Sequence, residues 1–77
     1  MPELPPSTNR RKFISAAQRC GFAIVRKFGK GDHYKMYSPN RKESITVPKS
    51  FNTHVVRQSL AKFINAHGNL KKFLQEM

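Results

Sequence analysis

The chain has 77 residues, and its fifteen lysines and arginines against four aspartates and glutamates give a formal charge of +11. This length fits one small domain and excludes enzymes that need a Rossmann fold or a β/α barrel. The strong positive charge favours a polyanionic partner, and nucleic acid is the commonest such partner of a basic domain.

Cysteine content and hydropathy suggest where the protein works. The single cysteine, Cys20, cannot form an intramolecular disulfide, so a reducing, cytoplasmic location is expected. The longest apolar run, residues 22–25, is far shorter than the ~20 residues that cross a bilayer, so we expect no membrane partner. Three prolines without any periodicity predict a flexible lead-in over residues 1–7, followed by one domain over residues 8–77.

The first periodic segment predicts a helix over about residues 8–20. Apolar side chains recur there at spacings of three and four, which is typical of a helix with one buried face. Ser7 or Thr8 can cap its start by accepting a backbone N–H. Gly21 follows at the position where a left-handed residue commonly ends a helix.

Three short segments have the composition of β-strands. Residues 22–28 are rich in aromatic and β-branched side chains, and residues 33–37 and 44–47 alternate between polar and apolar. Turn-forming residues separate them at 29–32 and 38–42. These short connections predict a three-stranded antiparallel sheet with hairpin turns.

Two helices are predicted after the sheet. Asn52 or Thr53 can cap the longer one, which Gly68 ends, and Asn69 can cap a short last helix. The predicted fold is therefore α+β in the order α-β-β-β-α with a short extra C-terminal helix. The helices cover one face of the sheet and leave the other face in solvent.

Few side chains offer metal or acid chemistry. Four acidic residues are too few to favour paired-carboxylate catalysis or a magnesium site. The lone cysteine and the histidines contain no close pair with the spacing of zinc ligands. We therefore expect no metal and no cofactor.

His33 is the candidate catalytic residue. It begins the second predicted strand, directly after a turn with two glycines, and alternation places it with Lys35 on the face expected to be open. An imidazole both accepts and donates a proton near neutral pH. The nearby cations Arg26, Lys27, Lys30 and Lys35 could hold phosphates and offset their charge. On these residues alone, an ordinary surface histidine is the alternative interpretation.

Three short motifs, in order and at similar spacing, carry a resemblance to a known family. They are Gly21-Phe22 after the first helix, Gly31-Asp32-His33-Tyr34 before the second strand, and Val47-Pro48 at the end of the third. With these motifs the chain resembles the HicA family of small mRNA-cleaving toxins, the partners of HicB antitoxins. It departs from the family pattern at Asp32 and Tyr34, where serine and histidine are usual.

The resemblance implies a fold of the double-stranded-RNA-binding-domain (dsRBD) type and the toxin of a type II toxin–antitoxin system. Such a protein is a metal-independent endoribonuclease, or mRNA interferase, and His33 would be its catalytic residue. Its partners would be single-stranded RNA or mRNA and an acidic HicB-like antitoxin that covers His33. The alternative is a non-catalytic module of the same fold that binds RNA or protein.

Overall fold

A computed structural model describes residues 3–26 and 33–77 of the chain. Its elements are α1 (Arg10–Arg19), β1 (Ala23–Val25), β2 (Tyr34–Tyr37), β3 (Ser44–Val47), α2 (His54–His67) and α3 (Leu70–Glu76). The predicted α+β class and the order α-β-β-β-α with an extra helix are confirmed. Within these ranges, none of the helices is long and apolar enough to cross a membrane.

The start of α1 differs from the prediction because another residue caps the helix. The Asn9 side chain accepts a hydrogen bond from the Lys12 N–H at 2.9 Å. Thr8 lies instead in a turn, where its N–H donates to the Pro5 carbonyl at 3.0 Å. The helix therefore begins two residues later than about residue 8, and the predicted choice of Ser7 or Thr8 as its cap is wrong.

The other helix ends agree more closely with the sequence. Thr53 caps α2 and Asn69 caps α3, each by accepting an N–H from the residue three positions ahead. Gly21 has φ of +90° after α1, which is the left-handed conformation that glycine adopts without steric cost. Gly68 ends α2 for another reason, since a Cβ there would lie 3.0 Å from the ring of Phe22.

The sheet has the strand order β1-β2-β3, and both pairs are antiparallel. Met36 faces Ile24 on one side and Ile45 on the other, so these side chains share the face that packs on the helices. The first strand is shorter than the predicted residues 22–28: Phe22 precedes it, and residues 27–28 lie outside the described ranges. The second strand begins at Tyr34, one residue later than predicted.

The core lies between the sheet and the helices. Its fully buried members come from every layer of the fold; the largest are Phe13, Phe73, Leu4, Met36, Leu60, Ile64 and Val47. The rings of Phe13 and Phe73 lie 5.2 Å apart, so α3 closes the core against α1.

The segment before α1 belongs to this core. Leu4 is 1% exposed, and its N–H donates to the Arg57 carbonyl of α2 at 3.5 Å. A domain boundary at residue 8 therefore leaves a core residue outside the domain. Prolines remove the periodicity that reveals a helix or strand, but they do not prevent a leucine between them from being buried.

Candidate nucleic-acid interface

His33 lies immediately before β2 and is exposed. It lines a groove of about 460 Å³ whose other walls come from the end of β3 and the first turns of α2. These walls are mainly apolar, with Ile45 and Pro48 on one side and Val55 and Leu60 on the other. Val55 is 73% exposed. We call this the histidine groove.

Lys35 lies on the face of the sheet opposite the helices. In the register of the strands it stands between Val25 and Thr46, and its Nζ lies 5.2 Å from the ring centroid of Tyr37. This contact is a cation–π interaction, which holds the lysine along the sheet surface. Strand alternation applies to Lys35, but His33 lies outside β2 and lines the groove beside α2, so the predicted grouping of His33 with Lys35 on one open face is not confirmed.

Arg26 lies in a different groove, between α1 and the sheet. This second groove measures about 570 Å³ and includes Arg10, Arg11, Arg26, Lys49, Tyr34 and Gln18 among its lining residues. The guanidinium carbon of Arg10 lies 4.1 Å from the ring centroid of Tyr34. Among the residues that the structure describes, none that lines this groove is acidic. We call it the arginine groove.

The predicted site residues are therefore divided between two surfaces. His33 lines the histidine groove and Lys35 lies on the open face of β2, whereas Arg26 lines the arginine groove with residues of α1. Lys27 and Lys30 lie outside the described residues. The structure does not bring Arg26 together with His33 in one groove.

Sequence reasoning missed the cations of the arginine groove other than Arg26. Arg10 and Arg11 belong to the polar side of α1, and Lys49 follows the Val47-Pro48 strand end. The available signal was local: α1 has no acidic residue in its first turn, where the helix dipole favours one. A run of cations at that position suggests a binding role more than a structural one.

A second missed cluster joins the N-terminal segment to α2. Arg57 is buried, and its guanidinium donates to the Glu3 carboxylate at 3.1 Å and to the Phe51 carbonyl at 2.7 Å. The His54 ring nitrogen lies 3.0 Å from the same carboxylate. The hydrogen bonds of His54 and then Arg57 lower the pKa of Glu3 from its ordinary value of 4.5. Arg57 lies three residues before Leu60 and seven before Ile64, on the same buried face of α2. This spacing predicts that its side chain is buried.

The remaining ligand-type side chains do not form a site in the described part of the chain. No group of three or more histidine, cysteine, aspartate and glutamate side chains within residues 3–26 and 33–77 could hold a metal ion. Cys20 is a free thiol, and burial raises its pKa. A thiol in this state is a weak nucleophile at neutral pH.

Comparison with protein-family models, with curated proteins and with solved structures finds no match to this chain. The resemblance to HicA toxins therefore depends on the sequence motifs alone.

Proposed function

We propose that this protein is a metal-independent endoribonuclease of the toxin type, acting on single-stranded RNA in the cytoplasm with His33 as its catalytic residue. The observation that supports this proposal is the exposure of His33 immediately before β2. A strand of RNA can reach that ring from solvent. Lys35, two residues further along the chain, supplies a positive charge toward the open sheet face.

The chemistry requires a base and a positive field. The neutral imidazole of His33 accepts the proton of a ribose 2′-hydroxyl, and the oxygen forms a bond to the adjacent phosphorus. The bond from phosphorus to the 5′ oxygen breaks, and water supplies the proton that this oxygen needs. The products are a 2′,3′-cyclic phosphate and a 5′-hydroxyl, while nearby cations offset the charge that grows on the phosphate.

The decisive experiment compares the purified parent with His33→Ala on single-stranded RNA in the presence of EDTA. General acid–base help contributes on the order of 10²–10⁴ in rate, so the variant is expected to cut at least about 10²-fold more slowly. His54→Gln is the matched control, because it removes another exposed imidazole and should leave the cutting rate unchanged. Equal cutting by the parent and His33→Ala would exclude the catalytic role.

A second candidate function is RNA binding without cleavage. It is favoured by the separation of the arginine groove from His33, since binding through Arg26 does not require a reactive group nearby. Retarded but intact RNA with the parent protein, at every time point in EDTA, would select this function over the first.

The histidine groove fits the inhibitor that the proposed function requires. An acidic HicB-like antitoxin that packs on Val55 and Pro48 would cover His33 and exclude RNA. An acidic partner encoded beside this chain should bind the parent and inhibit cutting. It should bind Val55→Asp poorly, because a carboxylate replaces an apolar contact and repels an acidic surface.

A further inference from the structure

We infer that the outer edge of β3 binds an extended, acidic polypeptide segment, which adds to the sheet as a fourth strand and places apolar side chains in the histidine groove. This mode of binding does not depend on RNA cleavage. That the segment belongs to an inhibitor rests on the proposed function, because a strand at this edge would lie beside His33.

The hydrogen-bonding pattern of the sheet is the first argument. In an antiparallel pair, opposite residues alternate between those that exchange backbone hydrogen bonds and those that do not. The Ser38 N–H donates to the Glu43 carbonyl at 2.9 Å, so these residues form a bonded pair. Counting in steps of two along the register, the next residue of β3 bonded to β2 is Ile45. The backbone N–H and C=O groups of Ser44 and Thr46 therefore point away from β2.

These outward groups are open to solvent. Ser44 and Thr46 are exposed, and in the part of the chain that the structure describes neither makes a hydrogen bond outside the sheet. Proteins commonly protect an edge strand with a charged residue or a proline, and β3 contains neither. The other edge strand, β1, has only three residues, and a short edge pairs poorly. The edge of β3 is therefore the place where a further strand can pair.

The position of the histidine groove is the second argument. The groove lies between β3 and α2, with Ile45 and Thr46 on one side and Val55 and Ser59 on the other. Successive side chains of a strand point to opposite faces of the sheet, so every second side chain of an added strand would enter the groove beside Val55. Extended peptides bind sheet edges in this way: main-chain hydrogen bonds supply affinity, and pockets for alternate side chains supply specificity.

The net charge is the third argument, and it selects an acidic segment. The formal charge of +11 already counts all four acidic residues of the chain, so the surplus does not depend on which cations are paired. A field of this sign attracts an acidic chain and repels a second copy of the protein. Nucleic acid fits the groove less well than a peptide, because the mainly apolar walls offer few partners to phosphates.

The test uses a fluorescent synthetic peptide of about eight residues, a common strand length, in which valine and glutamate alternate. Two isomers of this peptide carry N-methyl groups, one on the valines and the other on the glutamates. In a strand these two sets of N–H groups point to opposite edges, so only one isomer loses its hydrogen bonds to β3. That isomer is expected to bind the parent protein at least about tenfold more weakly in anisotropy titrations.

Thr46→Pro and Thr46→Ala form the matched pair of protein variants. Both remove the hydroxyl, but only proline removes the outward N–H. Proline is tolerated on an edge strand where the N–H faces solvent, so both variants should keep the circular dichroism of the parent. Thr46→Pro is expected to bind the unmodified peptide about tenfold more weakly than Thr46→Ala. The N-methylated isomers test the same bonds in the unaltered protein, so the inference does not depend on the folding of Thr46→Pro.

A second peptide, with glutamine in place of glutamate, tests the choice of an acidic partner. It should bind more weakly than the original at low salt, and the difference should shrink as added salt screens the charges. Equal affinity of the two peptides at low salt would overturn this choice.

Four further results would overturn the inference. Equal binding of the two N-methylated isomers would exclude strand addition, and so would absence of peptide binding at low salt. A dimer of the parent that Thr46→Pro dissociates in sedimentation would assign the edge to a second copy. RNA binding that is lost in Thr46→Pro and kept in Thr46→Ala would assign the edge to RNA.

Failure of this inference is distinguishable from failure of the proposed function. A parent that cuts RNA through His33 but does not bind the peptide would overturn the edge alone. A parent that binds the peptide but never cuts RNA would support the edge and overturn the catalytic proposal. Where both hold, the bound peptide should slow cutting, because it covers His33.

Discussion

Arg57 is a buried charged side chain, and hydrogen bonds from two of its guanidinium nitrogens stabilise it there. Its side chain is 7% exposed, its Nη1 donates to the Phe51 carbonyl at 2.7 Å, and its Nε donates to Glu3. A buried arginine is tolerated only when its N–H groups are satisfied in this way. The cluster therefore joins the N-terminal segment, the loop before α2 and α2 itself.

Arg57→Ala is expected to lower the free energy of unfolding by about 2 kcal/mol, the cost of losing a buried charged hydrogen bond and leaving its acceptor unsatisfied. Urea unfolding followed by circular dichroism measures this change. Lys62→Ala, at an exposed position of the same helix, should change stability by less than about 0.5 kcal/mol. Equal midpoints for the two variants would contradict the structural role of Arg57.

Glu3 gives the stability of the protein a pH dependence. Its pKa in the folded state is lowered from 4.5 by the hydrogen bonds of His54 and Arg57. The stabilising contribution is therefore fully present above the unfolded-state pKa and is lost as pH falls through the lower folded-state pKa. The free energy of unfolding of the parent should exceed that of Glu3→Gln at pH 6, and the difference should shrink on acidification below 4.5. A difference that is constant with pH would show that Glu3 contributes no charge-dependent stability.

At the scale of single residues, the sequence predicts burial correctly where the spacing of apolar residues within one helix or strand decides it. Met36, Leu60 and Ile64 are buried as strand alternation and helical spacing predict. Leu4 was missed because its contact with α2 is long-range and no periodicity surrounds it. Of the predicted site residues, only Lys35 has a side that follows from strand alternation, because His33 lies before the strand begins.

At the scale of elements, local side-chain hydrogen bonds decide where helices and turns begin. Ser38 illustrates this in the β2–β3 hairpin: it is fully buried, its hydroxyl accepts from the Glu43 N–H at 3.2 Å, and it donates to the Asn40 side chain. The hairpin also holds Arg41 at a positive φ of 65°. The turn was predictable from Pro39 and Asn40, but the buried hydroxyl inside it was not.

Lys12→Glu is expected to stabilise α1 by about 0.5–1 kcal/mol, because a carboxylate in the first turn complements the helix dipole and can reach back to the Asn9 N–H. Thermal unfolding at low salt measures the gain. Lys71→Glu makes the same change in the first turn of the shorter helix α3 and tests whether the gain in stability is smaller there. A fall in the melting temperature of Lys12→Glu would contradict the electrostatic account of the helix start.

At the scale of the whole molecule, positive charge opposes the compact state. The formal charge is +11, and two of the acidic residues, Glu3 and Glu76, already have Arg57 and Arg19 as cationic partners. Self-repulsion on this scale lowers stability at low ionic strength.

Added salt is therefore expected to stabilise the protein while it weakens RNA binding. Screening by 1 M salt shortens the range of charge repulsion to about 3 Å. If this raises the free energy of unfolding by about 1 kcal/mol, the melting temperature of a domain of this size rises by about 4–8 °C. Sodium and potassium chloride should act alike in differential scanning calorimetry. A melting temperature that falls with both salts would show that attractive ion pairs outweigh the net charge.

The packing of Phe73 on Phe13 also has a consequence for biosynthesis. The core needs a ring from α3, which follows the other five elements along the chain, before α1 is covered. Contacts so distant along the chain form late and slow the folding reaction. The nascent polypeptide therefore completes its hydrophobic centre only after α3 has left the ribosome, and until then it exposes aromatic surface for chaperones to bind.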